Sequence, residues 1–301
     1  MADSPNRRLA LDRLQAMLAL GRSDGSWPYR RGGAGLTETT CYALLACRAM
    51  QVSPPNEASS LAWLEARCLP NGGYSPQPSV QMANWVSSLA SITLGAAGRT
   101  EFQRRAVEWL LTLQGNESAW LGQSVRSALG VKTPYPQNHA GWPWMEGTAS
   151  WVAPTALALL ALRQARESGR FPALHSALDN RIRQGSAMLL ERRCADGGWN
   201  HGAPAALEVS ATSYPETTGL AIVALGADAG DARQDLARVA RAMMAQTRSA
   251  TALSWLQLGL LVLNAEAAPV DEPTIVCRTS VDLALRVLAL AALDGNNIFR
   301  A

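Results

Sequence analysis

The sequence predicts an all-α fold in which about five to six helical hairpins, each of roughly 50 residues, form a double ring around a central cavity. Three observations predict it. Ala and Leu dominate an apolar fraction of 48% while β-branched residues are sparse, which favours helices over strands. A short punctuation recurs between apolar runs: "SDGSWPY" at 23–29, "PNGGYSP" at 70–76, "HAGWPW" at 139–144 and "CADGGWNH" at 194–201. The runs flanking each punctuation also differ in kind, one amphipathic and the next apolar nearly all round.

Taken in order, residues 7–20 are apolar at 9, 11, 14, 17, 18 and 20 with Arg and Asp between, the pattern of an outer helix with one wet face. "LTETTCYALLACRAM" (36–50) is apolar or small on every side and reads as an inner helix. The alternation continues with 57–68 and 80–95, then with 101–114 and "WVAPTALALLAL" from residue 151. Next come 176–193 with 215–226, and 232–247 with 251–264. Residues 272–292 close the set, with a second helix short or missing. At each corner a Gly can end a helix in the left-handed conformation, and the aromatic after it can pack flat between hairpins. The whole chain, 1–301, reads as one domain, with a long connection over 115–150 rich in Gly, Pro and aromatics.

Composition excludes several classes. The net charge is +3, the cations are almost all Arg and scattered, and Lys132 is the only lysine, so no basic stripe marks a nucleic-acid face. The N-terminus turns from polar to amphipathic without the apolar core of a secretory signal. The most apolar run, "ALSWLQLGLLVLNAEAA", is broken by Asn264 and is too short to span a bilayer. Five cysteines (41, 47, 68, 194, 277), odd in number and without a CxxC, read as reduced thiols of a cytoplasmic protein.

Two stretches carry a resemblance. "RRAVEWLLTLQGNESAW" (104–120), with Gln114 and Trp120, resembles the QW motif of squalene and oxidosqualene cyclases; "RQGSAMLLERRCADGGW" (183–199) resembles it without the Gln. "TETTCYALLA" and "PETTGLAIVAL" look like inner-helix starts of the prenyltransferase/squalene-cyclase repeat. The resemblance spans about residues 9–265 and implies an α/α toroid that handles an isoprenoid or another apolar small molecule. It also implies that a partner subunit could complete the site, as in protein prenyltransferases. The family's catalytic signatures are nevertheless missing. There is no DxDD, no DDxxD and no Cys-His-Gly, and Thr39 stands where a prenyltransferase zinc His would sit. No metal and no cofactor are expected.

The candidate ligand-binding residues are the aromatics in or beside the corners, Trp27, Tyr29, Trp85, Trp142, Trp144, Trp151 and Tyr214, together with His201. Their faces suit an apolar ligand and attract cations. Trp142, Trp144 and Trp151 exceed what one corner needs as glue. The acidic candidates are Glu38, Glu146 and Glu216. Glu38 and Glu216 also read as first-turn caps, "SYPE" being a capping-box pattern, so both carboxyls are expected to stay ionised near neutrality. Asp228, Asp231 and Asp235 likewise read as caps of an outer helix. Three functions stay open: an isoprenoid-handling toroid, a non-catalytic toroid that binds a lipid, peptide or partner protein, and an (α/α)-barrel enzyme acting on polysaccharide through paired carboxylates. A closed, dry pocket would favour the first; exposed aromatics in an open, polar, carboxylate-lined groove would favour the third.

Overall fold

The computed structural model describes residues 4–116, 139–206, 209–267, 270 and 272–300. The apolar runs form the inner helices α2 (Thr37–Ala49), α4 (Val86–Ala96), α6 (Val152–Glu167), α8 (Pro215–Leu225), α10 (Ala250–Val262) and α11 (Ser280–Leu293). Each packs on the next in that order, and α11 returns to α2, so the inner ring is closed. The amphipathic runs form the outer helices α1 (Pro5–Leu18), α3 (Glu57–Glu65), α5 (Thr100–Thr112), α7 (His175–Glu191) and α9 (Arg233–Gln246). Here α3 lies on α2, α5 on α4, α7 on α6, and α9 on α8 and α10. The molecule is an all-α toroid; its described strands are β1 (Ala205–Ala206) and β2 (Val209–Ser210), a short antiparallel pair before α8.

The sequence reading needs three corrections here. Residues 80–85 are not helical: Asn84 accepts the Val86 N–H on its side chain (3.1 Å) and holds the chain in a turn until α4 begins. The last helix starts at Ser280 rather than 272, because Thr279 and Asp282 form a capping box there and Glu272–Thr274 is a separate 3₁₀ turn. Its outer partner is not missing but comes from the other end of the chain, where α1 buries Ala10, Leu14 and Met17 and packs on α11.

No outer helix among those described covers the seam between α10 and α11, and a buried ion pair stands there instead. Arg286 of α11 is fully buried; it donates to Gln257 Oε1 (2.7 Å) and Ser254 Oγ (3.3 Å) of α10 and pairs with Glu272. Arg13 of α1 then reaches the Ile275 carbonyl (3.3 Å), tying the connecting segment to α1 as well. The acids at the start of α9 and just before it act similarly. Asp228 pairs with Arg163 and accepts from Ser186 (2.7 Å), while Asp235 pairs with Arg193 and Arg238. Asp228 and Asp235 are therefore inter-element ion pairs rather than simple caps.

Candidate functional site at the mouth of the toroid

Four corners share one set of bonds. In three, an Asp or Asn folds the chain by accepting the N–H two residues on: Asp24 from Ser26 (3.0 Å), Asn71 from Gly73 (3.1 Å) and Asp196 from Gly198 (3.3 Å). Gly25 and Gly72 then take positive φ (86° and 90°), and a Cβ on either would lie 2.6 Å from the backbone of the next outer helix. The aromatic that follows, Trp27, Tyr74, Trp142 or Trp199, is buried. Its backbone N–H donates to a hydroxyl of the following inner helix: Thr40 (3.0 Å), Ser87 (2.8 Å), Thr155 (2.9 Å) and Thr218 (2.9 Å). The three indole N–H groups donate to the last turn of the preceding outer helix, at Met17 (3.1 Å), Leu110 (2.8 Å) and Leu189 (2.6 Å).

Two residues past each aromatic, a carbonyl accepts an N–H from the first turn of the preceding inner helix. Tyr29 accepts from Ser280, Pro76 from Thr37, Trp144 from Trp85 and His201 from Val152, each at 2.9 Å. The first-turn N–H groups that a helix leaves open are thus taken up by its neighbour's corner. This stitches the inner-helix N-termini together at one end of the ring, the mouth. At the same end, Thr251 of α10 donates to Asp282 of α11 (2.9 Å).

The stitching carries most of the sequence-predicted residues to that mouth. Trp85 and Trp144 meet edge to face with ring centroids 5.3 Å apart. His201 stacks on Tyr214 at 5.0 Å. Trp151 donates its N–H to the Trp142 carbonyl (3.0 Å), and Gly202 lies so close that an added Cβ would be 3.3 Å from its ring. Tyr29 donates its hydroxyl to Glu38. Tyr29, Trp151 and Tyr214 are 40%, 36% and 46% exposed, and Met82, Met145 and Val209 add exposed apolar surface on the connections that lead into the inner helices.

Three predicted site residues lie elsewhere. Trp27 and Trp142 are buried inside their corners with every N–H used, and the Arg181 guanidinium covers the Trp142 ring at 3.8 Å, so neither offers a face to a ligand. Glu146 sits exposed on a turn and lines an outer groove with Trp109, Gln114 and Asn116. Trp120, of the QW-like motif, and most of the 115–150 connection fall outside the described residues.

The capping reading of the two glutamates is also corrected. No side chain caps α2 or α8; the Ser213 hydroxyl donates to Asp196 (3.0 Å) instead. Glu38 in the first turn of α2 is half-buried, and loss of solvent pushes its carboxyl up to about 7, against the pull of the helix dipole. Below it, burial holds the Tyr42 hydroxyl well above its ordinary range, with Glu38 adding to the rise.

Sequence reading missed what fills the lumen beneath Glu38. Tyr42 of α2 meets Trp255 of α10, which is not its neighbour in the ring, at 6.4 Å. Trp255 in turn meets Phe299 at 5.4 Å. The lumen is therefore crossed by a row of edge-on and tilted aromatic contacts rather than left open along its length. The only sequence signal was an aromatic in each of two otherwise aliphatic or small-residue runs.

Among the described residues, no three His, Cys, Asp or Glu side chains gather where they could hold a metal ion. No described helix is long and apolar enough to cross a membrane.

This architecture has known counterparts, and they define a class by fold. No family model and no curated protein matches the chain. Among solved structures, it is similar to a variant of the type II terpene cyclase MstE from Scytonema in complex with geranylgeranyl dihydroxybenzoate (16% identity, 97% of this chain and 77% of that one, TM-score 0.54). It is also similar to protein geranylgeranyltransferase-I of Candida albicans complexed with GGPP (14%, 72% and 60%, TM-score 0.52). Endoglucanase Cel10 of Klebsiella pneumoniae, a family 8 glycosyl hydrolase, is similar over 96% of this chain and 99% of that one (15%, TM-score 0.60). The chain is thus a terpenoid cyclase/prenyltransferase-like α/α toroid in fold, and the same fold carries glycosidases.

Proposed function

We propose that the toroid binds an isoprenoid-like molecule at its mouth, the apolar chain against Trp85, Trp144, Trp151 and Tyr214 and a hydroxyl head against Tyr29 and Glu38. The observation that supports this reading most is the rim of aromatics at the end of the ring where the half-buried carboxyl of Glu38 accepts from Tyr29. A carboxyl raised by desolvation has given up water contact, and the aromatic faces at the same end of the ring suit an apolar chain. The geranylgeranyl ligands of two structural relatives agree with that chemistry.

Glu38 suits binding better than cyclisation. A carboxyl titrating near 7 is half-protonated at neutral pH, so it can donate to or accept from a ligand hydroxyl. It is too weak an acid to protonate an isolated alkene. Tryptophan fluorescence titrated with geranylgeraniol tests the reading: a saturable change is expected, with weaker binding in Trp144→Ala. No change up to the solubility limit, or an unaltered affinity in that variant, counts against it.

A second reading, polysaccharide cleavage, is favoured by one observation. Glu38 and Glu216 each stand two residues ahead of the threonine that accepts a corner N–H, Thr40 and Thr218, on helices opposite one another in the ring. Paired carboxylates across a cleft are what glycoside hydrolysis needs. Release of reducing ends from soluble cellulose, abolished by either Glu→Gln substitution, would replace the isoprenoid reading with this one.

A further inference from the structure

The far end of the toroid holds a separate cavity of about 260 Å³, bounded by the C-terminal ends of α4, α6, α8 and α10, by Arg233 of α9 and by residues 298–300. Leu160, Val223, Val262 and Phe299 form an apolar wall. The charged lining is lopsided: Arg163, Arg233 and Arg300 against Glu167 alone. Arg163 is already neutralised, pairing with Asp228 and donating to Ser186 (3.0 Å). Among the described residues Arg233 and Arg300 donate to uncharged acceptors, the Leu263 carbonyl (3.2 Å) and the Asn264 side-chain oxygen (2.7 Å). Two guanidinium charges therefore stand beside an apolar wall without a carboxylate partner among the described residues. Burial also pushes the Glu167 carboxyl up, opposed by Arg163, so the one acid there is the more easily neutralised.

We propose that this cavity is a binding site for a small amphiphilic carboxylate, its head held by Arg233 and Arg300 and its short alkyl chain lying on Leu160, Val223, Val262 and Phe299. The planar fork of a guanidinium matches a carboxylate in two parallel bonds, and two such forks outweigh the unfavourable carbonyls at the helix C-termini. The volume lies at the lower edge of small-molecule pockets, which run from about 300 Å³ upward, so the chain length is medium rather than long. None of the mouth residues lines this cavity, and Phe299 in its wall is the end of the Tyr42–Trp255–Phe299 row of ring contacts.

Isothermal titration of the full chain with sodium octanoate at neutral pH tests this. One octanoate is expected per chain, with octanol and octylammonium each bound at least about tenfold more weakly. Arg300→Gln should weaken octanoate about fivefold or more without lowering the melting temperature, and Arg300→Lys should recover part of the loss. Trp144→Ala, at the mouth, should leave octanoate affinity unchanged. Absence of saturable heat to about 10 mM, equal affinity for octanol, tighter binding of octylammonium, or an Arg300→Gln variant that binds as well as the parent would each overturn the proposal. Loss of octanoate binding in Trp144→Ala would overturn it too, by placing the ligand at the mouth.

Discussion

At Glu38 two physical effects compete, and their balance sets a measurable pH dependence. The first turn of α2 stabilises the anion, but loss of solvent opposes it, and the carboxyl moves up to about 7 from an ordinary 4.5. Below about pH 4.5 the group is protonated in both folded and unfolded chains and costs nothing. Between there and about pH 7 only the folded chain keeps the proton, so stability falls as the pH rises; above 7 the full penalty is present. Discounted for partial solvent screening, that penalty is about 1–2 kcal/mol. Glu38→Gln, whose amide oxygen can still accept from Tyr29, should therefore be more stable than the parent by that amount at pH 8 and equal to it at pH 4. Urea unfolding at the two pH values checks this, and a variant less stable at pH 8 would contradict it. The identity of Glu38 as a candidate was legible in the sequence, but its protonation was not. Acidity depends on what the fold stacks above and below the carboxyl, and periodicity does not reveal that.

Each corner depends on one hydroxyl. Thr40, Ser87, Thr155 and Thr218 accept the backbone N–H of a buried aromatic, and no water can replace them there. Thr40→Val, Thr155→Val, Thr218→Val and Ser87→Ala should each cost about 1–3 kcal/mol, the cost of stranding a buried donor. Chemical denaturation of the four variants checks it; a cost confined to one of them would show that the corners are not equivalent. The seam between α10 and α11 makes a second test. Arg286→Ala leaves Glu272 buried without its partner and should cost about 3–5 kcal/mol, whereas Arg286→Met combined with Glu272→Leu should recover most of that. The corners were legible because a Gly and an aromatic recur in each, with an Asp or Asn to fold the turn in three of the four. The start of α4 was not legible: "SVQM" reads as helix, and only the Asn84 side chain, folded onto Val86, delays it. Trp27 and Trp142 looked like ligand aromatics for a similar reason. Composition cannot say that an indole N–H is already bonded to a carbonyl one helix away.

The ring as a whole closes through its ends. The amphipathic pattern of α1 announced an outer helix, but the natural guess for its partner was the next helix in sequence rather than α11, far along the chain. Contacts of that range leave no local mark in the sequence. Removing residues 4–20 would uncover α11 and delete the Met17 carbonyl that accepts from Trp27. Leu14 and Met17 alone bury side chains worth about 1.5–3 kcal/mol each, a large part of a net stability of about 5–15 kcal/mol. The shortened chain should lose its cooperative unfolding transition and its near-ultraviolet circular dichroism, while a sharp transition near that of the parent would show that closure contributes little. At this scale the end of the toroid where the inner helices begin is the proposed seat of an apolar, isoprenoid-like ligand. Photolabelling with a benzophenone analogue of farnesol, followed by peptide mapping, tests it most directly. Label should concentrate on the segments around 27–38, 82–86, 142–151 and 199–216 and should be displaced by unlabelled geranylgeraniol. Label spread over the outer helices, or label that geranylgeraniol does not displace, would contradict the account.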